Sequence, residues 1–156
     1  MNDTVTIITS VTDNQIVKAF RGPDLQLLNF SPGLEFKVSQ KSVDDLQSLA
    51  SVIGALEAEP TKAVIRELPL LPENEPVARQ SQNFSSTSHH WCMIDIDSLT
   101  WNGDLHDHKA MLEYTSCQLP PEFQQADCCY HFSSSMGIEP GIRVHLWYWL
   151  ERPILG

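Results

Sequence analysis

The chain has 156 residues, 42% of them hydrophobic, and carries 10 Lys and Arg against 20 Asp and Glu, a formal net charge of −10. The length fits one domain with a sizeable core, and the acidic balance argues against a general nucleic-acid-binding surface, because phosphate contacts need clustered Lys and Arg. No apolar run approaches the roughly 20 residues of a membrane span, and the N-terminal residues lack the basic and apolar regions of a signal peptide. These features predict a single cytoplasmic domain over residues 1–156 without a membrane partner.

The first part of the chain, residues 1–68, has the pattern of a mixed α/β region. Hydrophobic periodicity, β-branched runs and turn residues define its elements. In chain order they are a strand at Thr4–Ser10, a short helix around Gln15–Phe20, a hairpin turning at Ser31-Pro32-Gly33, a helix carrying Leu46, Leu49, Val52, Ile53 and Leu56, and a short strand in "KAVIREL". Ser42 and Asp45 have the spacing of a capping box for that second helix.

Residues 69–90 form a connecting loop in this interpretation, because "PLLPENEPVARQSQNFSSTSHH" contains three prolines and four serines. Residues 91–156 are richer in strands. Their predicted elements are a strand in "WCMIDIDSL", a helix capped by Asp107 and running to Leu119, a short helix at Pro120-Pro121, and two late strands in "CCYHFSSS" and "IRVHLWYWL". The predicted fold class is α+β, with a largely antiparallel sheet in the second half flanked by helices.

The stretch "WCMIDIDSL" places Asp95 and Asp97 one residue apart within an apolar strand. Alternate residues of a strand face opposite sides, so the two carboxylates share one face and Ile94 and Ile96 share the other. An ordinary half-exposed strand would show the same pattern. The functional interpretation is a site for Mg²⁺ or Mn²⁺, which prefer oxygen ligands and often bridge to substrate phosphates.

A second candidate cluster lies in the late strands. Arg143 and His145 share a strand face, and the preceding turn contains Ser133, Ser134 and Ser135. An arginine, a histidine and a serine turn suit the binding of phosphate. A core histidine packed beside aromatic residues is the structural alternative for His145.

An Asp-x-Asp strand, a helical segment, a serine-rich turn and a strand with a histidine follow one another in this chain, and in that order they resemble the archaeo-eukaryotic primase superfamily. The similarity is to the primase-polymerases of phages, plasmids and other mobile genetic elements. It matches Asp95 and Asp97 to the acidic motif, and Ser133–Ser135 with His145 to the second motif. The segment "VARQSQNFSS" resembles a loop that precedes the acidic strand in that family, which makes Arg79 a candidate nucleotide contact.

The resemblance implies a primase-polymerase-like fold and metal-dependent nucleotidyl transfer with a nucleoside triphosphate and a DNA template. Half-buried Asp95 and Asp97 would hold Mg²⁺ or Mn²⁺, and His145 with Arg143 would hold the triphosphate. The family uses a third acid on a later strand. Here the only acid after His145 is Glu151, in a segment that reads as a strand end running into a turn. A C-terminally truncated, incomplete catalytic region is therefore expected, with a further domain or helicase partner elsewhere.

Three alternatives remain open at this point. In the first, the chain is a non-catalytic nucleotide- or protein-binding relic of the same fold. In the second, it is a metal-dependent nuclease that uses Asp95, Asp97 and His145. A structural zinc site is the third, with candidate ligands His89, His90 and Cys92, or Cys117, Cys128, Cys129 and His131. Because the sequence has no Cys-x-x-Cys pair, free thiols packed as small apolar groups are the simpler interpretation.

Overall fold

A computed structural model describes residues 2–12, 14–28, 35–73 and 75–155. The described part is a mixed α+β protein with antiparallel strand pairs, which confirms the predicted class. The strands are β1 (Asp3–Ser10), β2 (Phe20–Arg21), β3 (Gln26–Leu27), β4 (Glu35–Val43), β5 (Lys62–Ile65), β6 (Leu68–Pro69), β7 (Val77–Ala78), β8 (Phe84–Ser85), β9 (Ser88–Leu99), β10 (Cys128–Phe132) and β11 (Ile142–Leu155). The helices are α1 (Leu46–Leu56), α2 (His108–Cys117) and α3 (Pro121–Gln124), and a 3₁₀ turn covers Ser81–Asn83.

The chain divides into two compact units, which we call unit 1 (Met1–Trp91 with Leu150–Gly156) and unit 2 (Cys92–Trp149). The chain passes between them within β9 and again within β11. Among the described helices, none has the length and apolar character needed to cross a membrane.

Unit 1 is built on a four-stranded sheet with the order β5-β1-β4-β7. The central strand β1 is antiparallel to both β4 and β5, and it is buried continuously from Val5 to Ile8. Continuous burial means that both faces of β1 are covered, which fits its run of β-branched residues. One apolar cluster of the sheet contains Ile8, Phe36, Val38, Ile65 and Val77.

Helix α1 begins three residues later than the predicted capping box implies. Asp45 is the N-cap: its carboxylate accepts a hydrogen bond from the Ser48 backbone N–H at 2.7 Å, and the Ser48 hydroxyl reaches back to the Asp45 N–H at 3.1 Å. The predicted pairing of Ser42 with Asp45 is wrong, because Ser42 still lies in β4 and pairs with Thr4 of β1. The helix itself confirms the predicted apolar periodicity.

The other two predictions for unit 1 concern a helix around Gln15–Phe20 and the hairpin that follows it. The expected helix around Gln15–Phe20 is wrong: this segment is irregular and ends in the small β2–β3 hairpin. The turn expected at Ser31–Gly33 lies outside the described residues. Of the two strands expected to pair across it, β3 pairs with β2, whereas β4 pairs with β1 and β7.

Unit 2 contains a three-stranded sheet with the order β10-β11-β9. Strands β10 and β11 are antiparallel, as predicted. Helices α2 and α3 lie on one face of this sheet, since Phe123 packs edge-on against Tyr148 at 4.9 Å between ring centroids and His108 packs against Phe132 at 4.8 Å. This face also holds the buried residues Val144 and Leu146. The opposite face carries Arg143 and His145, followed by the buried Trp147, and we call it the polar face.

Strand β11 is longer than predicted. It runs to Leu155 through Pro153, whereas the sequence predicts a strand end and a turn in this region. The Arg66 guanidinium donates a hydrogen bond from Nη2 to the carbonyl of Ile154 at 2.7 Å, within unit 1. Glu151 is therefore an exposed strand residue of unit 1.

Candidate functional site

The acidic strand has the predicted alternation. In β9, Asp95 and Asp97 are exposed and Ile94 and Ile96 are partly buried, which confirms that the two carboxylates share a face. Their side chains are 57% and 68% exposed, respectively. The expectation that the acids are half-buried is therefore wrong, and no burial cost has to be offset at either carboxylate.

Each carboxylate is matched by a basic side chain from β11. Arg143 Nη1 forms an ion pair with Asp97 Oδ1, and His145 Nε2 lies 3.2 Å from Asp95 Oδ1. Arg143 is only 15% exposed and His145 is 26% exposed. The structure thus brings together four of the predicted site residues on the polar face of unit 2.

Glu139 is a third acid at this site, and sequence reasoning missed it. Its Oε2 lies 3.2 Å from Arg143 Nη1, the same nitrogen that contacts Asp97. The Nε of Arg143 is buried and has no hydrogen-bond partner among the residues that the structure describes. Glu139 precedes Arg143 by four residues, but it lies in the turn before β11. Neither helix nor strand periodicity could therefore have predicted the contact.

The serine turn supports Arg143 through the backbone. Ser133 N–H donates to the Arg143 carbonyl at 3.0 Å, and the hydroxyls of Ser133 and Ser135 are 3.1 Å apart. Ser135 is buried and its carbonyl accepts from the N–H of Glu139 at 3.0 Å, whereas Ser134 is exposed. The turn therefore fixes the positions of Glu139 and Arg143.

Gly141 allows β11 to start close to the end of β9. Its φ is +84°, and a Cβ placed there would lie 2.8 Å from the Leu99 carbonyl oxygen and 2.8 Å from the Ser98 carbonyl carbon. Ser98 itself has a positive φ of 68°. A residue with a side chain at position 141 would meet both steric crowding and an unfavourable backbone conformation.

His131 is the second residue that sequence reasoning missed as part of this site. It lies directly opposite His145 in the β10–β11 pairing, and its Nε2 is 2.7 Å from His145 Nδ1. Its Nδ1 accepts a hydrogen bond from the Trp147 indole at 3.2 Å. The sequence predicts the two late strands but not their register, so it could not show that His131 lies opposite His145.

The remaining predicted contact, Arg79, lies in unit 1. It is exposed and directly follows β7. The cluster of unit 2 therefore consists of Asp95, Asp97, Ser133, Ser135, Glu139, Arg143 and His145, with His131 behind it.

The two histidines of the first candidate zinc set, His89 and His90, have hydrogen-bond partners within unit 1. His89 is buried, with Nδ1 2.7 Å from Asp3 Oδ1 and Nε2 2.7 Å from the Arg66 carbonyl. The other oxygen of Asp3 accepts from the His90 backbone N–H, and His90 Nδ1 lies 2.9 Å from the Leu150 carbonyl. These contacts give both histidines structural roles.

The cysteines are free thiols. Burial, with a smaller contribution from Cys128, raises the pKa of Cys129 to about 11, and burial also raises the pKa of Cys128. In the metal-free protein both thiols are therefore protonated at neutral pH. Across the described ranges, no three His, Cys, Asp or Glu side chains converge in a way that could hold a metal ion.

No family model, curated protein or solved structure matches this chain.

Proposed function

We propose that unit 2 binds a metal–nucleotide complex and that the protein is a metal-dependent nucleotidyltransferase with a primase-polymerase-like fold, from a mobile genetic element. The observation that carries this proposal is the pairing of β9 acids with β11 bases on one sheet face. Asp97 contacts Arg143 and Asp95 contacts His145. A metal–triphosphate ligand carries the same two kinds of charge, a dication and a polyanion.

The donor set fits Mg²⁺ or Mn²⁺. Asp95 and Asp97 are both solvent-accessible, share a strand face and offer carboxylate oxygens, which hard dications prefer. A bound dication would supply charge neutralisation at the triphosphate and an activated 3′-hydroxyl. Two carboxylates hold such an ion loosely, because it is normally surrounded by six or more oxygen ligands, so phosphate oxygens and water complete the set in this proposal.

Arg143 and His145 are the residues assigned to the phosphates. Arg143 uses Nη1 for two carboxylates and has a buried Nε without a partner in the described chain, so its donors are incompletely used. If Asp97 held a dication, the Arg143 guanidinium would be able to bind phosphate oxygens in place of that carboxylate, with similar geometry. His145 would donate a hydrogen bond from Nε2 to the same anion.

The protein's overall charge of −10 opposes the approach of a nucleotide or a DNA template. Nucleotide binding should therefore depend on metal. Glu139, like Asp97, pairs with Arg143. The resemblance to the primase-polymerases implies a third metal-binding acid on a later strand, so in this proposal that acid comes from a further domain or partner, and synthesis by residues 1–156 alone should be weak or absent. Arg79 remains a candidate contact of the nucleotide or template.

The decisive experiment measures ATP and dATP binding by calorimetry with and without Mn²⁺. We expect binding only with Mn²⁺, its loss in Asp95→Asn/Asp97→Asn, and a weakening of about 10-fold or more in His145→Leu, which removes the hydrogen-bond donor. His106→Leu is the matched control, since His106 is an exposed histidine of unit 2. Metal-independent binding, or equal effects of the two histidine variants, would contradict the proposal.

Enzymatic assays separate the remaining functions. Mn²⁺-dependent incorporation of nucleotides on a primed DNA template, in the presence of a longer gene product or partner, would support nucleotidyl transfer. Cleavage of the DNA strand without incorporation would identify a nuclease that uses the same carboxylates. Nucleotide binding with neither activity would identify a binding relic of the fold.

A further inference from the structure

In unit 2, two hydrogen bonds join Trp147, His131 and His145 in a row, and an ion-pair contact extends the row to Asp95. The Trp147 indole N–H lies 3.2 Å from His131 Nδ1. His131 Nε2 lies 2.7 Å from His145 Nδ1, and His145 Nε2 lies 3.2 Å from Asp95 Oδ1. The row starts at a side chain that is only 5% exposed and ends at the solvent-accessible carboxylate.

Donor chemistry gives this row a single direction. An indole nitrogen can only donate, so His131 Nδ1 must be the acceptor. A neutral imidazole with an accepting Nδ1 has its hydrogen on Nε2, and that hydrogen points to His145 Nδ1. The same reasoning places the hydrogen of His145 on Nε2, which faces Asp95.

We propose that His131 is a positioning residue that fixes the tautomer and the ring orientation of His145. Trp147 holds His131 in the state that can donate, and His131 in turn leaves His145 with an N–H only on the side of Asp95. An N–H donor at this nitrogen is what a phosphate oxygen beside Asp95 requires. This functional consequence rests on the proposed nucleotide binding, whereas the assignment of the tautomers rests on the geometry alone.

The contact between the two rings is not explained by packing. His131 and His145 are cross-strand neighbours with centroids 4.5 Å apart at an interplanar angle of 64°, and an aromatic or apolar side chain could fill the same space. Only a side chain with both an acceptor for the indole and a donor for His145 completes the row. Glutamine has both groups and leucine has neither, which separates positioning from packing.

The test is nuclear magnetic resonance of ¹⁵N-labelled protein at about pH 8, where an ordinary histidine is mainly neutral. In the wild-type chain we expect His145 with its hydrogen on Nε2 and a scalar coupling between His131 Nε2 and His145 Nδ1 across their hydrogen bond. In His131→Leu the tautomers of His145 should mix, and affinity for Mn²⁺-ATP should fall about 10-fold. His131→Gln should restore both the tautomer and most of the affinity.

Several results would overturn the proposal. These are a wild-type His145 with its hydrogen on Nδ1, an unchanged tautomer in His131→Leu, or a failure of His131→Gln to restore it. If His131→Leu does not fold, the wild-type spectrum and Trp147→Phe decide, because loss of the indole donor should release His131 Nδ1. If the spectra are as expected but the wild-type protein binds no nucleotide, the role of His131 is supported and the proposed function fails.

Discussion

Unit 1 and unit 2 each contain a histidine in contact with an aspartate, and the two pairs differ in separation and in burial. In unit 1, His89 and Asp3 are 2.7 Å apart with side chains 1% and 8% exposed. In unit 2, His145 and Asp95 are 3.2 Å apart with side chains 26% and 57% exposed. The same two residue types therefore occur once in a protein interior and once at a surface.

Their partners explain what each pair is suited to. The two ring nitrogens of His89 contact Asp3 Oδ1 and the Arg66 carbonyl oxygen, so protein groups occupy both of its hydrogen-bonding positions. His145 faces one acceptor and, through His131, one donor. The buried pair is enclosed by protein groups and stabilises unit 1, whereas the exposed pair can exchange its partner for a ligand.

The largest expected effect is on the buried pair. Asp3→Ala should lower the free energy of unfolding by about 3 kcal/mol, because it leaves His89 buried without its carboxylate. Glu67→Ala, at an exposed acid of unit 1, should change stability by less than about 0.5 kcal/mol. Urea denaturation measures both, and equal effects of the two variants would contradict the structural role of the buried pair.

The next largest effect is expected at Gly141, where the start of β11 lies close to the end of β9. Gly141→Ala should cost about 2 kcal/mol, since it combines a positive φ with a clash against Leu99. Gly137→Ala, with a φ of +76° and no neighbour within 4 Å, should cost about 1 kcal/mol. The same denaturation experiment would contradict the contact if the two losses were equal.

Mn²⁺ binding at the two exposed acids, Asp95 and Asp97, should raise the free energy of unfolding. At free Mn²⁺ about ten times its Kd, we expect the wild-type protein to gain about 1.4 kcal/mol. Asp95→Asn/Asp97→Asn should abolish this gain, and Glu122→Gln/Asp127→Asn, which removes the same charge elsewhere in unit 2, should retain it. Thermal unfolding with a Mn²⁺ titration measures the gain, and equal gains in the two double variants would remove the metal assignment.

The smallest expected effect concerns the exposed pair, His145 and Asp95. Asp95→Asn alone, without metal, should change the free energy of unfolding by less than about 1 kcal/mol, because exposed ion pairs contribute little. The measurement is urea denaturation at low salt, where such pairs are strongest. A loss as large as that of Asp3→Ala would mean that the exposed pair is structural too.

Local patterns predicted the elements on which this comparison rests. Periodicity identified α1, the Asp107 cap identified the start of α2, and strand alternation placed Asp95 with Asp97 and Arg143 with His145. These predictions succeeded because helix and strand periodicity depend on neighbours in sequence.

What the sequence could not give depends on pairing between distant segments. That His131 faces His145 requires the register of β10 and β11, and Glu139 reaches Arg143 from an irregular turn. The exposure of Asp95 and Asp97 was also misjudged, because flanking apolar residues do not tell how much of a strand's second face is covered. The Gln15–Phe20 helix failed for a related reason, since a short apolar pattern does not distinguish a helix from an irregular segment.

The sharing of Arg143 between Asp97 and Glu139 has a thermodynamic consequence for the proposed ligand. A dication at Asp97 alone would release part of the guanidinium's charge, and a polyanion at Arg143 alone would leave carboxylates without a counterion. Binding both together leaves neither charge uncompensated. The two ligands should therefore be positively cooperative, and by linkage Mn²⁺ should raise the affinity for triphosphate by the same factor as triphosphate raises the affinity for Mn²⁺.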